Sequence, residues 1–236
     1  MAPVYGSDST YLSRKERDYY LWWLALLLVP IAAVAIVARL GSPLALLGAA
    51  VAGLGFVFFI CEPAVKWMRR KTGQVYTGRW GEISIKEVLK ELPSDYAVYE
   101  GVVTEADKGD IDYVVVGPTG VFTVEVKAHK GEVAYNGFGI TLDGRPFPDK
   151  NVLRQMHGET HGLKIFLQER VHADFYVRPI LVFANDRARV DIGSSPVQNV
   201  NVVHKDGLIQ LILSFPYCRF PVPQPVVEKA LRRTVK

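Results

Sequence analysis

This sequence predicts an α/β fold, a mixed β-sheet flanked by helices and preceded by a hairpin of two apolar helices. Three observations carry that prediction. Two uncharged apolar runs, 21–38 and 44–60, stand near the N-terminus. Two β-branched and aromatic runs, 111–116 and 121–127, are joined by Gly117-Pro118-Thr119-Gly120. Around that hairpin, helix-like and strand-like periodicities alternate in the order α, β, β-hairpin, β-hairpin, α, β, β, α, which makes a mixed sheet that helices can cover.

Residues 1–20 are the expected cytoplasmic N-terminal lead, of which the small-residue, polar stretch 1–10 reads as mobile. Residues 21–60 form the expected membrane hairpin. Each run is near the length of about 20 residues that crosses a hydrocarbon core. Trp22 and Trp23 stand where an interfacial belt would place them. The connection 39–43 is too short for anything but a tight helical hairpin, and Pro30 is tolerable inside a membrane helix. Arg14, Lys15 and Arg17 precede the first run, and Lys66, Arg69, Arg70 and Lys71 follow the second. Positive flanks of this kind put both termini on the cytoplasmic side of a cell membrane. A cleaved signal peptide fits less well, because the small-residue stretch Ala33-Val34-Ala35 lies inside the apolar core rather than after it. Residues 61–76 read as a basic linker able to lie on anionic lipid, so the lipid bilayer is the first expected partner.

The remaining elements follow in order. Apolar residues at Ile83, Ile85, Val88, Leu89 and Leu92 recur at helical spacing, and Pro93 stops the helix that begins near Gly78. Residues 96–103 read as a strand. The central hairpin comes next, then a second hairpin, 131–135 and 139–142, around Asn136-Gly137. Residues 151–167 read as a helix, 175–183 and 199–203 as strands, and 206–214 as a short helix capped by Asp206. Residues 215–225 are proline-rich, and 226–235 form a basic terminal helix. The soluble domain spans 77–214 and the tail 215–236.

The central hairpin carries the chemistry. With Pro118-Thr119 at the turn, Gly117 faces Gly120, Val114 faces Thr123 and Asp112 faces Glu125, with Asp110 opposite Lys127 one step on. Like charges directly opposed on paired strands are destabilising. Glu125 and Lys127 share one strand face. A carboxylate pair beside a lysine in an apolar ribbon calls for a cation, and a hard divalent metal taking oxygen ligands answers. The plain alternative is a surface ion pair of Lys127 with Asp110, leaving Glu125 in solvent. His157 and His161 stand one helical turn apart, but with Glu159 midway they do not make a His-Glu-x-x-His zinc motif; they read as polar helix surface. His129 and Lys130 follow Lys127 closely enough to touch a phosphate or to face solvent.

Charge and cysteine content exclude some classes. The formal net charge is +4. Residues 1–70 hold 7 basic and 4 acidic side chains, and residues 71–236 hold 21 and 20, so most of the excess flanks the apolar runs. A broad nucleic-acid-binding face is therefore not expected. Cys61 and Cys218 are distant, giving neither a disulfide framework nor a zinc pattern.

Gly78-Arg79-Trp80-Gly81-Glu82, Ile111-Asp112 with its valines, Gly120 to Lys127, Gly131 and Gln155 together resemble the nuclease-related domain (NERD) family, over roughly residues 72–190. That family looks like a branch of the PD-(D/E)xK, or restriction-endonuclease-like, nucleases. The resemblance implies that Asp112, Glu125 and the carbonyl of Val126 bind Mg²⁺ or Mn²⁺. It implies further that Lys127 polarises water or phosphate, that Glu82 orients water or Lys127, and that Gln155 flanks the site. Ile111 stands in place of the superfamily's proline, and Asn151-Val152 in place of an Asn-Pro before the Gln helix. The expectation is a membrane-anchored, metal-dependent nuclease acting on DNA or RNA, with DNA favoured. The rival is a catalytically inactive nucleic-acid-binding or scaffold module of the same fold.

Overall fold

The β-branched runs on either side of the Pro118 turn pair as their alternation predicts and lie at the centre of the sheet. The computed structural model describes residues 1–6, 62–104, 110–149, 151–172, 176–217 and 224–231, with isolated positions between 21 and 48. In chain order the elements are β1 (Val4–Tyr5), α1 (Glu62–Lys90), β2 (Ala97–Val103), β3 (Asp110–Gly117), β4 (Gly120–Lys127), β5 (Gly131–Tyr135), β6 (Ile140–Leu142) and β7 (Arg145–Pro146). There follow α2 (Val152–Val171), β8 (Val177–Phe183), β9 (Ala188–Asp191), β10 (Asn201–His204), a 3₁₀ turn (Lys205–Gly207), α3 (Leu208–Ser214) and α4 (Gln224–Leu231). The expected membrane hairpin, 21–60, lies outside the described residues except at those isolated positions. Among the described residues no helix is long and apolar enough to cross a membrane.

The chain divides into two compact units, one of residues 8–76 and one of residues 1–7 with 77–236. The second holds both sheets. Its main sheet has the order β1-β2-β3-β4-β8-β10, and a smaller one has the order β7-β6-β5-β9. β2, β3 and β4 form an antiparallel meander, whereas β8 runs parallel to β4 and β10 parallel to β8. The sheet is thus mixed, as expected.

Two apolar layers sandwich it. Ile85, Leu89 and Leu92 of α1 pack with Leu208 and Ile212 of α3 against Tyr113, Val115, Phe122 and Val124. On the opposite face Leu163, Phe166 and Leu167 of α2 join Val227 and Leu231 of α4 against Val114, Val116 and Val121. The period of two along β3 and β4 divides these side chains between the layers. Burial at roughly 25 cal/mol per Å² of apolar surface makes these layers the main source of stability. A third cluster, including Val133, Met156, Leu181 and Phe183, joins the smaller sheet to the larger.

Several elements depart from the sequence reading. Residues 62–76, expected as a linker, are helical and continuous with the helix expected from Gly78. Pro63 sits in the first turn, where proline costs no hydrogen bond, and Lys66, Met68, Arg69, Arg70 and Lys71 are good helix formers without an apolar stripe. Val4 and Tyr5, expected in a mobile lead, add an edge strand beside β2. β9, a run of four residues that the sequence reading did not mark as a strand, pairs in parallel with β5. The last helix of the domain is not capped by the Asp206 side chain. Instead the His204 imidazole accepts the Asp206 N–H, at 3.4 Å.

One backbone feature positions the site. Gly101 lies between Glu100, paired with Tyr113, and Val102, paired with Ile111, and so stands opposite Asp112. Its φ is +64°. Beyond this point the facing pattern of both strands shifts, and Val102 and Ile111 join the α2 layer alongside Tyr99 and Val114. A Cβ at Gly101 would meet nothing within 4 Å, so replacement costs only the left-handed backbone. Gly101→Ala is expected to lose about 1–2 kcal/mol in urea unfolding, with the slope of the transition unchanged.

Candidate active site

The turn at Pro118-Thr119 sets the expected register, with Gly117↔Gly120, Val116↔Val121 and Val114↔Thr123 as partners. The ladder ends at Tyr113↔Val124. The expected direct opposition of Asp112 and Glu125 is therefore not formed, and Asp110 is not the ladder partner of Lys127. The reason is a fork. Beyond Tyr113, β3 stays with β2 through Ile111 and Asp110. β4 continues along β8 as far as Lys127↔Phe183. Asp112 fills the gap, and its Oδ2 accepts the Val126 N–H at 2.8 Å. A backbone donor that lost its ladder partner is satisfied by a side chain. The N–H and C=O of one strand residue leave the same edge, so the Val126 carbonyl also leaves toward the fork.

Glu125 and Lys127 follow Val121 and Thr123 on the α2 side of β4. The Thr123 and Thr160 hydroxyls, 2.8 Å apart, fix α2 over this strand. Glu125 is only 4% exposed, which removes the solvated alternative. Its Oε1 accepts from the Lys127 ammonium at 2.8 Å and from Gln155 Nε2 at 3.0 Å. Its Oε2 is buried and has no hydrogen-bond partner among the described residues. Lys127 reaches a second acid, Asp149, at 3.1 Å. Gln155 also donates to Glu159 Oε1, at 2.7 Å. The result is one connected row: Asp149, Lys127, Glu125, Gln155, Glu159.

Glu82 enters from α1. The Tyr113 hydroxyl donates to the Glu82 carbonyl at 2.9 Å, tying this turn of helix to β3. Gly81 allows close approach, since a Cβ there would lie 3.0 Å from the Ala128 Cβ. The Glu82 carboxyl is raised above its ordinary range by burial, then by the charges of Glu100 and Glu125. Asp112 is raised well above its ordinary range, chiefly by desolvation and next by the Glu125 charge, with Glu82 adding to it and the Val126 N–H opposing. Burial would lower Lys127, but Glu125 and then Asp149 more than offset it and hold the ammonium above its usual value. Burial lowers His129, whose ring meets the edge of Phe147 at 4.8 Å.

Of the residues that the family resemblance singled out, Glu125, Lys127 and Gln155 are joined directly, Asp112 bonds the Val126 N–H, and Glu82 acts on Asp112 through its charge. Asp149 and Glu159 were not anticipated. Glu159 lies one helical turn beyond Gln155, a spacing that puts both on one face. It was hidden between His157 and His161, which are themselves exposed as polar helix surface. Asp149 follows Phe147-Pro148 in an irregular stretch with no periodicity to mark it. Among the described residues no group of three or more His, Cys, Asp or Glu side chains is arranged to hold a metal ion. The oxygens at the fork come from two carboxylates and a carbonyl, a donor set for a hard cation that keeps several waters.

Residues 77–184 match the family model of the nuclease-related domain (NERD). That span takes in the Gly81-Glu82 turn of α1, the hairpin, α2 and β8, so this part of the chain is similar to the nuclease-related domain. No curated protein and no solved structure matches the chain.

The raised Asp112 carboxyl makes a signed prediction. A carboxyl that holds its proton more tightly in the native state costs stability as pH rises from the ordinary carboxyl range through its raised native value. Asp112→Asn keeps the acceptor for Val126 and removes the charge. In metal-free buffer at neutral pH its melting temperature should exceed that of the wild type, and the gap should close as pH falls below the ordinary carboxyl range.

Proposed function

We propose that this chain is a membrane-anchored, cytoplasm-facing, divalent-metal-dependent nuclease of the restriction-endonuclease-like type that hydrolyses phosphodiester bonds, with DNA the favoured substrate. The observation that carries the reading is the buried, unpartnered Oε2 of Glu125, a residue whose charge also raises the Asp112 carboxyl. A buried polar atom without a partner is costly, and acids crowded around one lysine leave negative charge uncompensated. The residues fit a hard cation: Asp112, Glu125 and the Val126 carbonyl would hold Mg²⁺ or Mn²⁺. When bound, such an ion activates water and neutralises charge on the phosphate.

The protein's own groups divide the remaining work. Lys127 holds a positive charge at the phosphate, kept protonated by Glu125 and Asp149. Gln155 holds the Glu125 carboxylate through Oε1, which leaves Oε2 for the ion. Glu82, raised above its ordinary range by burial, is suited to orient the attacking water or Lys127. Anchoring rests on the uncharged runs 21–38 and 44–60 with their basic flanks.

A second reading, a scaffold or nucleic-acid-binding module that retains the nuclease fold without activity, is favoured by one observation. Among the described residues no three metal-ligating side chains converge. Calorimetric titration with Mn²⁺ separates the two. The wild type should bind and Asp112→Asn should not; no heat with the wild type would leave the scaffold reading standing. Plasmid DNA and single-stranded RNA incubated with Mg²⁺ or Mn²⁺ should be cut by the wild type. Asp112→Asn and Lys127→Ala should each lose on the order of a hundred-fold or more in rate. Equal cutting by all three proteins would reject the assigned roles. The full chain should stay in the membrane fraction through an alkaline carbonate wash, and release would reject the anchor.

A further inference from the structure

At the Asp149 end of the polar row lies a cleft of about 370 Å³ whose walls include Phe138, Phe147, Asp149, Arg154 and Gln198. It falls in the size range of small-ligand sites. Two contacts join it to the end of β4 and the segment that follows. Asp149 on its wall touches the Lys127 ammonium, and Phe147 on its wall packs against His129.

Phe138 stands at the tip of the β5–β6 hairpin and is 91% exposed. A bare aromatic ring gains nothing from water, yet the loop that presents it is held on several sides. The Asn136 side-chain oxygen accepts the N–H of Phe138 and of Gly139, each at 3.0 Å. Gln198 Nε2 donates to the Phe138 carbonyl and to the Tyr135 hydroxyl, each at 3.3 Å. That hydroxyl in turn donates to the Gly137 carbonyl at 2.7 Å. The ring therefore sits on a braced backbone rather than on a loose tip. Arg154, exposed on the first turn of α2, stands at the same cleft.

We infer that this cleft receives an unpaired nucleobase next to the scissile phosphate, stacked on Phe138, with a neighbouring backbone phosphate at Arg154. The inference rests on the nuclease reading and narrows its substrate to single-stranded or locally opened nucleic acid. An aromatic face at a lone position accepts any base, but only one withdrawn from a duplex stack can reach it. The link through Asp149 would set the next phosphate beside Lys127.

Fluorescence anisotropy on the full chain in detergent tests this, with EDTA present so that no cleavage intervenes. The probes are a short labelled single-stranded oligodeoxynucleotide and the duplex of the same sequence. Phe138→Ala should weaken single-strand binding on the order of ten-fold and leave duplex binding unchanged. Phe138→Trp should retain binding and Phe138→Leu should not. Arg154→Ala should weaken binding and lower the salt slope by about 1. Both side chains are exposed, so melting temperatures should match the wild type. The inference is overturned if the wild type does not bind the single strand, if Phe138→Ala binds it normally, or if Phe138→Leu binds as well as Phe138→Trp. A separate cleavage assay with Mg²⁺ distinguishes the two readings. Binding that depends on Phe138 without cleavage removes the proposed chemistry and keeps the cleft, whereas cleavage with binding indifferent to Phe138 does the reverse.

Discussion

The hydrogen bond from the Val126 N–H to the Asp112 carboxylate is the constraint on which the site depends. It exists because two strands that leave the Pro118 turn as a regular pair are claimed by different neighbours farther along. β2 keeps β3, and β8 keeps β4. Where they part, the sheet would leave a half-buried backbone donor without a ladder partner. A carboxylate fills the role at the cost of bringing a second negative charge near Glu125. The same fork that solves a backbone problem thus creates the electrostatic one that a cation would relieve.

Helices on both sides of the sheet then complete the arrangement. α1 brings Glu82 in through the close contact at Gly81 and the Tyr113 hydroxyl. α2 brings Gln155 and Glu159 in over Thr123. Neither helix needs the acids to dock, since each has an apolar stripe of its own, from Ile85 to Leu92 and from Leu163 to Leu167. Packing therefore holds the polar groups in place against their mutual repulsion. This is how a folded protein tolerates crowded charge at a functional site.

Much of this was legible in the residues alone. Turn chemistry at Gly117-Pro118-Thr119-Gly120 and the alternation along 111–127 are local, so the hairpin and its register could be read directly. The parting of the strands could not. It is set by the left-handed backbone at Gly101 and by the distant strand β8, neither of which leaves a mark on the periodicity of β3. The same holds for Asp149, which lies in an irregular stretch, and for β9, whose partner β5 is more than fifty residues away. Glu159 was within reach of helical spacing, but the histidines on either side drew attention to the exposed face of α2. The helical start at Glu62 was hidden because helix propensity without an apolar stripe looks like a linker.

The double attachment of Lys127 carries a mechanical consequence. An ammonium has three hydrogens to donate, and Glu125 and Asp149 account for two of them. An incoming oxygen can take the third while both anchors remain, so the lysine need not swing or exchange partners to meet its target. The charge waits already aimed, and the entropy of fixing a long flexible arm has been spent during folding rather than at the encounter.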